Sequence, residues 1–107
     1  MDWIEGKGYK KRILAGEAQL GRGNIAQIVR IWPGQKVKPH HHRQQTELFY
    51  ILEGMALLSI AGREVEAGPG DVYLCKPGDI HSVKNNGTGD FEILVFKTGW
   101  KEDDSYW

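Results

Sequence analysis

The sequence predicts an all-β domain, and three observations lead to that prediction. Most of the 14 glycines fall in clusters that are typical of turns. Between the clusters lie strand-length segments rich in β-branched and aromatic residues, several of which alternate apolar and polar side chains. No window of about 11 or more residues keeps a helical period with capping residues, and the best candidate, 13–20, is interrupted by Gly16.

The predicted strands follow the glycine clusters in chain order. The first strand follows Gly21-Arg22-Gly23, and the last follows the Asn85-Asn86-Gly87 turn. Roughly eight or nine short strands favour an antiparallel sandwich or barrel, a group that includes the jelly roll, and periodicity alone does not choose among these. Seven of these strands are assigned residue ranges: 24–32, 47–52, 55–60, 63–66, 72–74, 80–84 and 91–97.

Length and composition predict one domain covering residues 1–107. Lysine and arginine (14) balance aspartate and glutamate (14), so the chain lacks the positive field that nucleic-acid binding requires. No segment approaches the roughly 20 apolar residues of a membrane span, and the N-terminal residues 1–12 are too polar for a signal peptide. We therefore expect a cytoplasmic protein without nucleic-acid or membrane partners. The single cysteine, Cys75, excludes an intrachain disulfide and indicates a small buried apolar residue.

Three of the four histidines are consecutive, at His40, His41 and His42. In an extended segment His40 and His42 project to one face, roughly 6.5 to 7 Å apart, while His41 points away. Two imidazoles at that separation can share a metal ion. Glu47 opens the next apolar strand, where an inward carboxylate would be costly without a cation. His81 follows a Pro-Gly turn at the start of another strand, from which it could face the same cavity.

The spacing of these residues resembles the two sequence motifs of the cupin superfamily. Residues 34–54 fit the first motif, a glycine, five residues, H-x-H, four residues, a glutamate, six residues and a glycine. Residues 70–85 resemble the second motif, with one departure, because Lys76 stands where the family usually has proline. This lysine is expected near the cavity mouth. The chain is most similar to small single-domain cupins, and loosely to the cupin domain of mannose-6-phosphate isomerases.

The resemblance implies a single-domain jelly-roll β-barrel that holds one divalent transition metal ion. The implied ligands are His40, His42, Glu47 and His81, and Asn85 matches a motif asparagine with a structural role beside its turn. Three nitrogens and one oxygen suit Fe, Mn, Ni, Cu, Co or Zn better than Mg or Ca. Two alternatives remain open: surface loop residues, or a scaffold that has lost its metal.

The resemblance implies a function only in outline. We expect a metal-dependent enzyme acting on a small polar metabolite such as a sugar or sugar phosphate, by isomerase or epimerase chemistry. The alternatives are a metal-dependent dioxygenase and a non-catalytic ligand- or metal-binding cupin. No residue is assigned a catalytic role. Four basic residues are candidates for contact with an anionic substrate: Arg30, Lys36, Arg43 and Lys76.

The remaining aromatic and apolar residues divide between the core and the two ends of the chain. Alternation along the strand that opens with Glu47 sends Phe49 and Ile51 inward, into the core. The terminal aromatics are too many to leave exposed on a small monomer, which predicts a homodimer interface or end strands folded back on the barrel. These terminal residues are Trp3, Ile4, Tyr9, Trp100, Tyr106 and Trp107.

Overall fold

The computed structural model describes residues 2–107, which form ten strands and one short helix. Within this range, no helix is long and apolar enough to cross a membrane. The elements are β1 (Ile4–Glu5), β2 (Lys10–Ala15), α1 (Glu17–Leu20), β3 (Ile25–Ile31), β4 (Lys36–His40), β5 (Thr46–Glu53), β6 (Ala56–Ile60), β7 (Arg63–Ala67), β8 (Val72–Cys75), β9 (His81–Lys84) and β10 (Phe91–Thr98).

Two antiparallel sheets pack as a sandwich of the jelly-roll type, which confirms the predicted fold class. The larger sheet has the order β1-β2-β3-β10-β5-β8, and the smaller has the order β4-β9-β6-β7. Apolar side chains from both inner faces form one core, because every second residue of these strands points inward. Phe49 and Ile51 belong to this core as predicted, and so does Cys75, which is 2% exposed.

The predicted strands lie within about two residues of the observed β3 and β5 to β10. Strands β1, β2 and β4 were not predicted, because β1 has only two residues, β2, KKRILA, is half charged, and β4, KVKPH, is short, polar and contains a proline. Gly54 in the β5–β6 hairpin adopts φ 83° and packs so closely on the Asp90 carbonyl that a Cβ there would collide with it. This glycine of the first motif therefore has a steric role.

A β-bulge in β4 decides which face His40 occupies. Val37 pairs with Val83 and His40 pairs with His81, so β4 has one residue more than β9 between these two pairs. The extra residue reverses the alternation, and His40 points to the same inner face as Val37. Simple alternation from the buried Val37 would have turned His40 outward.

Candidate metal centre

Three histidines converge at one end of the space between the sheets. His40 ends β4, His81 begins β9 and His42 follows β4 by two residues. Each offers one ring nitrogen, and the three nitrogens lie within 4.8 Å of one another. Their ring centroids are 4.2 Å apart for His40 and His81, and 5.3 Å apart for His42 and either neighbour. These three histidines could bind a metal ion.

The other nitrogen of each ring is held by a backbone carbonyl. The Nδ1 atoms of His40, His42 and His81 lie 2.8, 2.8 and 3.2 Å from carbonyl oxygens of residues 38, 104 and 79. Because a carbonyl oxygen only accepts hydrogen bonds, each Nδ1 carries the proton. In the neutral ring, Nε2 then presents a lone pair, which is the arrangement found in metal-binding histidines.

Glu47 faces these histidines from β5 in the opposite sheet. Its Oε1 lies 2.8 Å from Nε2 of His42 and 3.4 Å from Nε2 of His81. The residue is 6% exposed, and despite these short distances Oε1 receives no hydrogen bond of acceptable geometry. A buried carboxylate oxygen repels two nitrogen lone pairs that face it. A positive charge between the oxygen and the two nitrogens, either a proton or a metal cation, would remove this repulsion.

Burial and neighbouring charges keep these groups in the protonation states that metal binding requires. Burial first, and then the neighbouring His81, lower the pKa of His40 to about 4. Burial alone would raise the pKa of Glu47, but the adjacent rings of His42 and His81 outweigh it and hold this pKa well below its ordinary value. At neutral pH, His40 is therefore uncharged and Glu47 is ionised.

The segment 104–107 closes one side of the histidine cluster. The Asp104 carbonyl accepts from His42, and its carboxylate accepts backbone N–H bonds from residues 43–45 at 2.9 to 3.2 Å. The Trp107 ring stacks on His40 with centroids 4.4 Å apart. His41 lies outside the cluster and instead pairs with Tyr106 through two backbone hydrogen bonds and ring stacking. Folding back of the chain end was one of the two explanations that sequence analysis gave for Tyr106 and Trp107, whereas the role of Asp104 had no signal in the sequence.

The cluster opens into a cavity of about 210 Å³ between the sheets. Its walls combine core residues, residues of the C-terminal segment 100–107, Tyr9 from the turn before β2, and four polar side chains from the larger sheet: Lys11, Gln27, Glu47 and Lys97. Burial lowers the pKa of Lys97, Glu47 opposes that shift and Lys11 adds to it. The inward direction of Lys97 follows from its alternation with Val95 in the predicted strand 91–97, a signal that sequence analysis missed.

The four basic residues predicted to contact a substrate lie elsewhere, and none lines this cavity. Arg30 is paired with Glu92 at 2.6 Å, and Arg43 stacks over Tyr106 at 4.2 Å. Lys36 borders a separate groove, and Lys76 is exposed in a turn rather than at the cavity mouth. The prediction failed for these four residues because charged side chains on short strands and turns are usually solvated.

Asn85 has the structural role that its motif position predicts. It is fully buried, donates from its side-chain amide to the carbonyls of Ile31 and Gly89, and accepts from the Gly87 N–H. These bonds fix the loop between β9 and β10 and lie outside the histidine cavity.

The fold and the histidine cluster together define a class of small β-sandwich proteins with a site that could bind a metal ion. The family model described as "Cupin domain" matches residues 27–97. The chain therefore belongs to the cupin family.

Known proteins similar to this chain have several functions. An oxalate-binding protein of Thermotoga maritima is 32% identical over 83 residues, which cover 78% of this chain and 69% of that protein. The crystal structure of a predicted oxalate decarboxylase from Thermotoga maritima has a TM-score of 0.80 at 26% identity, covering 86% of this chain and 81% of that one. A proposed sugar phosphate isomerase from Acidithiobacillus ferrooxidans has a TM-score of 0.70 at 25% identity, covering 83% of this chain and 59% of that one.

Proposed function

We propose that the chain is a metal-dependent cupin in which His40, His42, Glu47 and His81 hold one divalent transition metal ion. The observation that carries this proposal is the buried Glu47 Oε1, which faces the Nε2 lone pairs of His42 and His81 without receiving a hydrogen bond. A cation at this point would relieve the burial of the carboxylate, and the donor set of nitrogens and an anionic oxygen suits Fe, Mn, Ni, Cu, Co or Zn.

The proposed substrate is a small polar metabolite bound in the cavity beside the metal. A volume of about 210 Å³ is below the roughly 300–1,000 Å³ of pockets for drug-sized ligands, which favours a small molecule. When bound, the metal would supply Lewis-acid chemistry, polarising an oxygen of the substrate. The chain itself contributes apolar walls that limit water and polar groups that orient the ligand, among them the Tyr9 hydroxyl.

The reaction we favour is isomerisation or epimerisation of a sugar or sugar phosphate, a class represented among the structural neighbours. The oxalate-binding relative supports the second candidate, a cupin that binds a small carboxylate without turnover. Elemental analysis of protein purified from its own cells identifies the metal. Loss of a sugar phosphate in an activity assay would then support the isomerase or epimerase. Binding of a small carboxylate without turnover would support the second candidate, and consumption of dioxygen by the Fe(II)-loaded protein would indicate a dioxygenase instead.

Single alanine variants test the metal assignment. We expect His40→Ala and His42→Ala each to lose most of the bound metal, because a four-ligand site then lacks a donor and its geometry. His41→Ala is the matched control and should retain about one metal ion per chain, since its ring stacks on Tyr106 instead. The measurement is metal content after dialysis, and equal content in all three variants would contradict the assignment.

A further inference from the structure

Two lysines point into the histidine cavity from the larger sheet. Lys11 in β2 pairs with Val29 of β3, and Lys97 in β10 pairs with Ile25 of β3 and with Glu47 of β5. Both lysines line the cavity that the histidines line. They are close enough for Lys11 to influence the pKa of Lys97.

Neither lysine is neutralised by the protein. Among residues 2–107, no carboxylate oxygen lies within 4.0 Å of either ammonium, although Glu47 is the direct cross-strand neighbour of Lys97. Glu47 instead faces His42 and His81. On the side of the larger sheet, the cavity therefore has two ammonium groups against one carboxylate, while Lys101, Glu102, Asp103 and Asp104 line it from the C-terminal segment. A divalent ion at the histidines would add positive charge near the two lysines.

A buried amide lies between the two lysines on the central strand. Gln27 of β3 is 4% exposed, lines the cavity and leaves its Oε1 without a hydrogen-bond partner. Its register places it beside Ile13 of β2 and Val95 of β10, between the strands that carry Lys11 and Lys97. Buried polar groups normally have partners, so an unpaired amide at this place indicates a site built for a polar ligand.

We infer that Lys11, Lys97 and Gln27 form an anion-binding subsite that receives the carboxylate or phosphate group of a small metabolite. The inference rests on the proposed function and narrows its substrate class to anions. The two ammonium groups bind the anionic group through charge-assisted hydrogen bonds, and the Gln27 Oε1 accepts a hydrogen bond from a neighbouring donor of the ligand, such as a hydroxyl. The rest of the ligand is thereby directed towards the histidine cluster.

The test compares binding of oxalate, its neutral diamide oxamide and inorganic phosphate, measured by calorimetry on metal-loaded and on metal-free protein. We expect at least one of the two anions to bind and oxamide to bind much more weakly. Preference for oxalate indicates a carboxylate ligand, and preference for phosphate indicates a phosphate ester. Lys11→Met and Lys97→Met should each weaken anion binding about tenfold or more.

The exposed Lys76→Met is the matched control, since it removes the same charge outside the cavity and should bind as wild type. Metal content should be unchanged in all three variants, which separates failure of the subsite from failure of the metal site. If the protein binds no metal, loss of anion binding in the two cavity variants still supports the subsite. Anion binding that is absent from wild type, or unchanged in both cavity variants, would overturn the inference.

Thermal unfolding separates ligand binding from a purely structural role. Because the two ammonium groups repel each other and form no salt bridge within residues 2–107, Lys97→Met should unfold at the same temperature as wild type or at a higher one. A lower unfolding temperature, together with unchanged anion affinity, would instead identify Lys97 as a structural counterion of Glu47.

Discussion

At the scale of single residues, the buried position of Glu47 is the strongest indication of a metal site. An ionised group at 6% exposure is rarely kept in a small domain unless it has a charged partner. Sequence analysis predicted its inward direction from alternation with Phe49 and Ile51, and the structure confirms that direction. Sequence analysis missed that the same cavity also contains Lys97: alternation with Val95 directs this lysine inward, but a lysine at the end of a strand is ordinarily solvated.

The pKa of His40 predicts how acid affects the metal-free protein. Its folded value of about 4 lies below the value of about 6.5 for an exposed histidine, so the unfolded chain binds more protons between these pH values. The contribution of His40 to the free energy of unfolding should be constant above pH 6.5 and should fall as the pH drops from about 6.5 to 4, by about 1–2 kcal/mol because solvent screens this partly exposed ring.

Urea unfolding of metal-free protein at several pH values measures this dependence. The neutral variant His40→Gln should show a shallower decrease over the same range, since it removes the group that titrates. Below this range, protonation of Glu47 should destabilise the fold further, because the pKa of this carboxyl is held below its ordinary value. An equal slope for wild type and His40→Gln would contradict the role given to His40.

At the scale of single elements, β4 shows where sequence patterns become insufficient. Alternation within the histidine run correctly separated His40 and His42 from His41. The bulge places His40 on the same inner face as Val37. Strand β4 contains no glycine that would predict a bulge, and within this strand Pro39 is the residue that indicates an irregularity. The cupin resemblance identified His40 as a ligand from its position in the motif. The direction of its side chain depends on the pairing of β4 with β9, which the motif does not describe.

The segment 104–107 is a second element whose role depends on distant contacts. The Asp104 carboxylate satisfies three backbone N–H groups of residues 43–45 and so fixes the loop between His42 and Glu47. Asp104→Asn replaces an accepting oxygen with a donor that faces these N–H groups. We expect it to lower the free energy of unfolding by about 1–3 kcal/mol and to weaken metal binding roughly tenfold.

Chemical unfolding and metal titration of matched variants check this expectation. Asp103→Asn is the control, because Asp103 is exposed and adopts φ 61°, a conformation that asparagine tolerates well. Equal stability of the two variants would show that the Asp104 carboxylate does not brace the loop.

At the scale of the whole molecule, the outer face of the larger sheet carries a continuous apolar surface. Leu48 pairs with Leu74 and Phe96, and Tyr50 pairs with Val72, all on the face opposite the core. Their exposed fractions range from 38% to 59%. Contiguous exposed apolar side chains of this kind mark an association surface.

We expect the protein to be a homodimer that buries this face. Sequence analysis explained the terminal aromatics by a dimer interface or by end strands folded back on the barrel, and the structure favours folding back: Trp107 lies on His40, Tyr9 lines the cavity, and Trp3 packs under Arg30. An isologous pair of the outer faces of β5, β8 and β10 would cover the exposed apolar residues instead.

Sedimentation equilibrium of two charge-inserting variants tests this dimer. Leu74→Lys, in the centre of the apolar face, should shift wild-type dimer to monomer, because it would bury an unpaired charge. Ile80→Lys, equally exposed but in the turn before β9, should remain dimeric. A monomeric wild-type chain at micromolar concentration would refute the prediction.

The strand pattern of the molecule was predictable because β3 and β5 to β10 are bounded by glycine-rich turns and have alternating or apolar interiors. The pairing order was not predictable from periodicity. Strands β3 and β10 pair across more than half of the sequence, and period-two patterns contain no information about partners. The jelly-roll topology followed from the resemblance to cupins alone.

The hydrogen bond between His42 and Asp104 spans 62 residues of sequence, and this separation has a consequence for biosynthesis. A ribosome that adds about 5–20 residues per second makes His42 roughly 3–12 s before Asp104. Until β9 and then residue 104 have been added, the two imidazoles lack their neighbouring strand and the Asp104 hydrogen bond, and they can exchange ions more freely. The ion that the protein finally carries should therefore reflect the metal supply where the chain completes folding.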